Sequence, residues 1–106
     1  MTNTIDKGYG FGMRFPILDE LGQKEALTGA AIEWKLAASA SGMPLIERET
    51  GDMTISTAAG TVEFTLTSIE TGALQPGRYY HQLAVAPAGK ERKVYFSGFL
   101  KVEARL

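Results

Sequence analysis

The sequence predicts an all-β fold, an antiparallel sandwich of about seven strands, from two observations. Apolar and polar residues alternate through most of the 106-residue chain, the pattern of half-buried strands. Turns rich in Gly, Pro, Ser or Asp separate these runs at spacings of about ten residues, and no long helical pattern lies between them. A closed barrel fits the same strands and is the alternative.

The clearest alternation in the first third of the chain predicts two strands. Every odd position of residues 9–17 is apolar, and Pro16, which has no N–H for a ladder, places the end of that strand at a sheet edge. In residues 31–38, Ile32, Trp34 and Leu36 share one face. Trp34 is therefore expected at the centre of the core.

The middle of the chain is predicted to be a meander of short strands joined by hairpins. Residues 45–49, 53–57 and 61–67 are the strands, and tight turns at residues 50–52 and 58–60 separate them. The alternation breaks after residue 67, where Thr67 or Ser68 is expected to cap one helical turn. Ile69 and Leu74 are expected to point inward beneath it.

A corner is predicted where this turn ends, in the segment Leu74-Gln-Pro-Gly-Arg-Tyr79. Pro76 fixes φ and Gly77 tolerates the positive φ of a type II turn, so the chain turns and re-enters a sheet at Tyr79. In sandwich folds such a Tyr often bonds its hydroxyl to backbone a few residues upstream, an arrangement called a tyrosine corner. We therefore expect Tyr79 to be buried and bonded in this way.

The two strands after the corner carry the residues of most functional interest. Residues 79, 81, 83 and 85 share the inner face of the first, and residues 94, 96, 98, 100 and 102 that of the last, which spans 93–103. The alternation directs Tyr80, Tyr95 and Phe99 outward, and exposed aromatic residues often mark contact surfaces. The sequence thus predicts one immunoglobulin-like sandwich domain over residues 1–106, with a helical turn before the sixth strand and a possible interface at these three rings.

Several potential catalytic or ligand-binding signals have simpler structural explanations. Gly8, Gly10 and Gly12 lack the following helix of a phosphate-binding loop, so we expect them to allow close packing of a backbone or a ring. His81 has no cysteine or recognisable serine nucleophile to work with, and we expect a buried or interface histidine.

Charged residues give equally weak signals for a bound ion or nucleic acid. The acidic residues follow no calcium-loop spacing, so turns and solvated strand faces explain them better; they are Asp19, Glu20, Glu47, Glu49 and Asp52. The basic cluster at Lys90, Arg92 and Lys93 is too short to bind nucleic acid and is explained by protection of a strand edge. We expect no metal, no cofactor and no catalytic residue.

The composition supports those exclusions. The chain is 44% hydrophobic and 22% charged with a net charge of −1, typical of a globular protein without affinity for nucleic acid. The absence of cysteine excludes disulfides and thiolate chemistry. The sequence has neither the apolar core of a signal peptide nor a run of about 18 apolar residues, so we expect synthesis in the cytoplasm and no membrane contact.

The order of these turn and core signals resembles a family of small β-sandwich proteins and domains encoded by tailed bacteriophages and prophages, including the N-terminal domain of baseplate upper proteins. The matching segments are Met13-Arg-Phe-Pro-Ile-Leu-Asp-Glu-Leu-Gly22, Ala26-Leu-Thr-Gly-Ala-Ala-Ile32, Met53-Thr-Ile-Ser-Thr-Ala-Ala-Gly-Thr-Val-Glu-Phe-Thr-Leu-Thr67, Leu74-Gln-Pro-Gly-Arg-Tyr-Tyr80 and Ser97-Gly-Phe-Leu-Lys-Val102. The chain departs from the family in ending soon after its last strand, without an attached receptor-binding or fibre region.

The resemblance implies a non-enzymatic structural protein of the virion, made in the bacterial host cytoplasm. Its expected partners are other tail or baseplate proteins, or further copies of itself, with neither nucleic acid nor membrane among them. The alternative is a carbohydrate-binding or adhesin-like module in which Tyr80, Tyr95 and Phe99 form a stacking platform.

Overall fold

The computed structural model describes residues 4–39 and 42–104 and contains eight strands, one short α-helix and one 3-10 turn. The strands are β1 (Thr4–Asp6), β2 (Phe11–Pro16), β3 (Ala31–Ala37), β4 (Pro44–Glu49), β5 (Thr54–Ser56), β6 (Thr61–Leu66), β7 (Gly77–Ala86) and β8 (Lys93–Glu103). The 3-10 turn is Thr50–Asp52, and the helix α1 is Ser68–Gly72, directly before β7.

The strands form two sheets, which confirms the predicted immunoglobulin-like sandwich. One sheet has five strands in the order β1-β8-β7-β3-β4, and the other has three in the order β2-β6-β5. The described pairs are antiparallel except β1 with β8, which is parallel and was not predicted, because three residues of strand are too short to show alternation. As predicted for the strand that ends at Pro16, β2 lies at a sheet edge.

The predicted meander is wrong at one connection. β5 and β6 form a hairpin, but β4 belongs to the five-stranded sheet and β5 to the three-stranded sheet. The 3-10 turn between them carries the chain across the sandwich. Thr50 anchors this turn to β3, since its hydroxyl oxygen accepts from the Ile32 N–H at 2.8 Å and its hydroxyl donates to the Ile32 carbonyl.

The core lies between the sheets and is centred on Trp34, as predicted. Trp34 is fully buried, and its ring centroid lies 4.8 Å from that of Phe64 on the opposite sheet. The inward positions of β6 are also buried as the alternation predicts. Leu74 closes the end of the core near α1.

The helical turn is capped as predicted but packs differently. The Thr67 side chain accepts from the Glu70 N–H while the Glu70 carboxylate accepts from the Thr67 N–H, which forms a capping box. Ile69 is 84% exposed, so the prediction that it points inward is wrong. The buried residue is Thr71, whose hydroxyl donates to the Tyr9 carbonyl at 2.8 Å and accepts from the Gly8 N–H.

The explanation offered for the first three glycines is wrong for Gly8 and Gly12, whereas a Cβ at Gly10 would lie 3.7 Å from the Leu66 carbonyl oxygen. A Cβ at Gly8 or Gly12 would meet nothing within 4 Å, so neither position requires close packing. Gly8 instead has φ of 85° in the turn between β1 and β2, a conformation that glycine adopts without strain. Of the three, Gly12 alone lies inside a strand.

A bulge in β8 changes the faces predicted for its first half. Leu83 pairs with Phe96 and Ala84 pairs with Val94, which leaves Tyr95 as the extra residue. Val94 is consequently 55% exposed rather than inward, whereas Leu100 and Val102 beyond the bulge are buried as predicted.

Candidate interaction surface

The predicted corner orients the start of β7 and hence the side chains that follow it. Tyr79 is buried and its hydroxyl donates to the Gln75 carbonyl at 2.7 Å, which confirms the predicted upstream bond. Gly77 has a positive φ of 151°, which confirms the predicted need for glycine there, but this value is far from the φ near 80° of a type II turn. The Leu74 carbonyl accepts from the Lys7 ammonium at 2.7 Å.

Two of the three predicted interface residues lie together on the outer face of the five-stranded sheet. Tyr80 and Phe99 are paired across β7 and β8, and their rings meet edge to face with centroids 5.7 Å apart. The guanidinium carbon of Arg78 lies 4.5 Å from the centre of the Phe99 ring, within the range of a cation–π contact. Phe99 is 51% exposed. We call Arg78, Tyr80 and Phe99 the aromatic patch.

The aromatic patch continues as an apolar row across neighbouring strands. Tyr80 pairs with Ala37 of β3, and Ala37 pairs with Pro44 of β4. Cross-strand partners project from the same face of a sheet. One row across four strands is therefore formed by Phe99, Tyr80, Ala37 and Pro44. Alternation alone could not place Ala37 and Pro44 in it, since the row exists only through the pairing of strands distant in sequence.

Polar rows border the aromatic patch on both sides. On one side Gln82 pairs with Ser97 and with Lys35, and Lys35 pairs with Glu47. On the other side Arg78, the charged member of the aromatic patch, pairs with Lys101 beyond the rings. An apolar strip between polar margins has the anatomy of a protein interface, in which a desolvated centre is surrounded by a hydrated rim.

Tyr95 does not join the aromatic patch, so the prediction of three outward rings is wrong for this residue. The bulge turns it toward the core, where its hydroxyl donates to Glu25 Oε2 at 2.9 Å. Burial, together with the neighbouring Glu25 carboxylate, raises the pKa of Tyr95 to about 12. Tyr95 therefore stabilises the buried Glu25 side chain, which also contacts Lys90 at 3.7 Å.

His81 is buried, as predicted, and its role in the fold is visible. The Trp34 Nε1–H donates to His81 Nδ1 at 3.1 Å, which joins the centres of β3 and β7. Burial lowers the pKa of His81 to about 4, so the ring is neutral at pH 7. Nδ1 accepts this bond, so the proton of the neutral ring lies on Nε2.

The charged residues singled out in the sequence take part in turns and ion pairs. Asp19 accepts from the N–H groups of Leu21 and Gln23, and Asp52 accepts from the Glu49 N–H. Five of the others form ion pairs, which are Glu20 with Lys93, Glu47 with Lys35, Lys90 with Glu25 and Arg92 with Glu33. Residues 4–39 and 42–104 contain no group of three or more His, Asp or Glu side chains arranged to hold a metal ion.

In residues 4–39 and 42–104, no helix has the length and hydropathy that are needed to cross a membrane.

Comparison with known proteins adds no functional assignment. No protein-family model matches the chain, and no curated protein matches its sequence. Among solved structures the fold is similar to that of murine CRIg, with a TM-score of 0.46 and 12% sequence identity; the match covers 97% of this chain and 91% of that chain. No functional argument rests on a likeness at this level.

Proposed function

We propose that this protein is a non-enzymatic structural component of a bacteriophage or prophage particle, located in the tail, the baseplate or a fibre-associated position. It acts through contacts with other tail or baseplate proteins or with further copies of itself. The aromatic patch carries this proposal, because the exposed Phe99 ring, the tyrosine that meets it edge to face and the arginine over it are the residue types that dominate interface energetics.

The resemblance to phage tail and baseplate domains supplies the particle setting. Its segments at residues 13–22, 53–67 and 74–80 correspond to the β2 edge, the β5–β6 hairpin and the corner, all elements that build the fold. A structural role agrees with the use of His81, whose Nδ1 is engaged by the core tryptophan.

The alternative is a carbohydrate-binding or adhesin-like module. The geometry supports it less well, because the Tyr80 and Phe99 rings stand at 71° to each other and Tyr95 packs on the inner side of its strand. The three rings therefore do not form one flat stacking surface. Selective binding on a glycan array that is lost in Phe99→Ser would favour this alternative over the structural role.

Particle association tests the proposal. Particles released from a host that carries this gene are purified on a density gradient, and their protein content is measured by quantitative mass spectrometry. We expect the protein to co-purify at a fixed ratio to the other tail proteins. Its absence from intact particles, together with a strictly monomeric state in solution, would contradict the proposal.

A further inference from the structure

A groove opens between the two sheets because they differ in width. The three-stranded sheet ends at β2, whereas the five-stranded sheet continues beneath it through β7 and β8. The groove has a volume of about 400 Å³. Most of its lining is apolar, with Phe11, Met13, Phe15, Leu83, Phe96 and Leu100 among the residues that form it.

Phe96 lies on the floor of this groove with its ring only partly covered. It is 37% exposed although it pairs with Leu83 on the inner face, while Leu100 and Val102 of the same strand are buried. Its ring centroid lies 5.2 Å from that of Phe15 and 5.0 Å from that of His81. The ring is therefore held in place by the core and still open to a further apolar contact.

The β2 edge above the floor offers backbone hydrogen-bonding groups. β2 pairs with β6 on one side and has no neighbour on the other among the described strands. The Ile17 N–H donates to the Gly60 carbonyl at 2.8 Å, so by the alternation of an antiparallel ladder the odd residues of β2 face β6. The N–H and C=O groups of Gly12 and Arg14 then face the open side.

His81 is a polar side chain at the floor of the groove, but it is engaged from within the core. It is 2% exposed, and its Nδ1 accepts from the Trp34 indole N–H. Arg14 is the charged residue among the described residues that line the groove. Its Nε lies 3.2 Å from Glu63 Oε1 on the outer face of the sheet. The inner side of the groove thus suits uncharged side chains.

We propose that this groove is an acceptor site for an extended segment of a partner protein, which adds to the free edge of β2 as a further strand. Its backbone bonds the open groups of Gly12 and Arg14, and its alternate side chains, apolar or small and neutral, pack on Phe15 and Phe96. An acidic residue on its outward face is favoured opposite Arg14.

A second copy of this chain fits the site less well. Pairing through a second β2 brings the two Arg14 side chains to the same face of the joined sheet, where like charges repel. It also introduces a second Pro16, which has no N–H to donate. This inference is independent of the proposed function, because the groove and the aromatic patch lie on opposite faces of the five-stranded sheet.

A titration with synthetic peptides tests the proposal. The probe is the acetylated and amidated peptide Thr-Val-Thr-Val-Glu-Val-Thr, with versions in which Ile, Leu or Phe replaces Val. The matched control has a methyl group on each backbone nitrogen, which removes the donors and keeps the side chains. Binding is followed by calorimetry and by amide chemical shifts of the labelled protein.

We expect saturable binding with shifts centred on β2 and on Phe96, and at least tenfold weaker binding of the methylated peptide. Gly12→Pro removes an edge N–H and is expected to weaken binding at least tenfold, whereas Gly12→Ala, whose Cβ meets open space, leaves it unchanged. Phe99→Ser is expected to have no effect, which separates this site from the aromatic patch.

The proposal would be overturned if no peptide showed saturable binding at millimolar concentration. It would also be overturned if the amide chemical-shift changes were confined to residues away from β2 and Phe96. Self-association of the protein that is lost in Gly12→Pro and kept in Phe99→Ser would assign the groove to a second copy and overturn the partner-segment form. Unfolding curves for both Gly12 variants verify that each is folded.

Discussion

Tyr79 and His81 lie two residues apart on the inner face of β7, and both carry a polar group into the sandwich. Tyr79 directs its hydroxyl back to the Gln75 carbonyl, and His81 accepts the indole N–H of Trp34. Buried polar groups need such partners, because an unsatisfied group in the core costs about 1–3 kcal/mol. At this scale the stability of the fold depends on a few specific hydrogen bonds.

Tyr79→Phe is expected to lower the free energy of unfolding by about 1 kcal/mol. The ring stays in the core while the bond to Gln75 is lost. Urea unfolding followed by tryptophan fluorescence measures the change. The control is Tyr80→Phe, one residue further on the outer face, which is expected to change stability by less than about 0.5 kcal/mol. Equal effects of the two substitutions would contradict the role of the corner.

His81 is expected to make stability depend on pH. Its folded pKa of about 4 lies below its ordinary value of 6.5, so the unfolded chain binds more protons between these values. The contribution of His81 to the free energy of unfolding is therefore fully present above pH 6.5. It falls by up to about 3 kcal/mol as the pH decreases toward 4.

His81→Asn isolates this contribution, because the Asn Oδ1 takes the place of His81 Nδ1 as the acceptor from Trp34 and does not titrate between pH 4 and 7. Urea unfolding at pH 4, 5, 6 and 7 is expected to show a shallower slope in the variant than in the parent. Parallel pH profiles would show that His81 is not the titrating group.

At the scale of elements, α1 is a five-residue helix whose formation depends on its cap. Glu70 links it to β4 through an ion pair with Arg48, which has the largest effect in lowering the pKa of Glu70. A helix this short has little intrinsic stability, so the cap and the packing of Thr71 hold it in place.

Thr67→Ala is expected to lower the free energy of unfolding by about 1 kcal/mol, the usual cost of losing an N-cap side chain. Ser68→Ala, at an exposed position of the same helix, is the matched control and is expected to have little effect. Thermal unfolding of both variants checks the difference. A larger loss in Ser68→Ala would contradict the capping assignment.

The predictability of the elements follows from how local their signals are. The S/T-x-x-E pattern located the start of α1 to within one residue, with Thr67 or Ser68 as the cap, since both partners of the capping box lie within four residues. Local alternation also identified Trp34, Leu83 and Val85 as core residues. The bulge at Tyr95 has no such signal, because it depends on how β8 registers with β7, and it moved Tyr95 inward and Val94 outward.

At the scale of the whole molecule, the sandwich was predictable and its assembly was not. Alternation shows that a strand has one buried face, but it does not say which sheet the strand joins, so the crossing between β4 and β5 was missed. The aromatic patch was predicted in part, through Tyr80 and Phe99. Arg78, Ala37 and Pro44 were not, because pairing between distant strands brings them together.

The most direct test of the proposed role is sedimentation velocity of the protein mixed with the products of neighbouring genes. We expect the parent protein to sediment as a complex and Phe99→Ser to bind at least tenfold more weakly. Ile69→Ser, which removes an exposed apolar side chain from α1, is the control and is expected to bind like the parent. A parent protein that sediments only as a monomer, or a Phe99→Ser variant that binds as tightly as the parent, would contradict the proposed role of the aromatic patch.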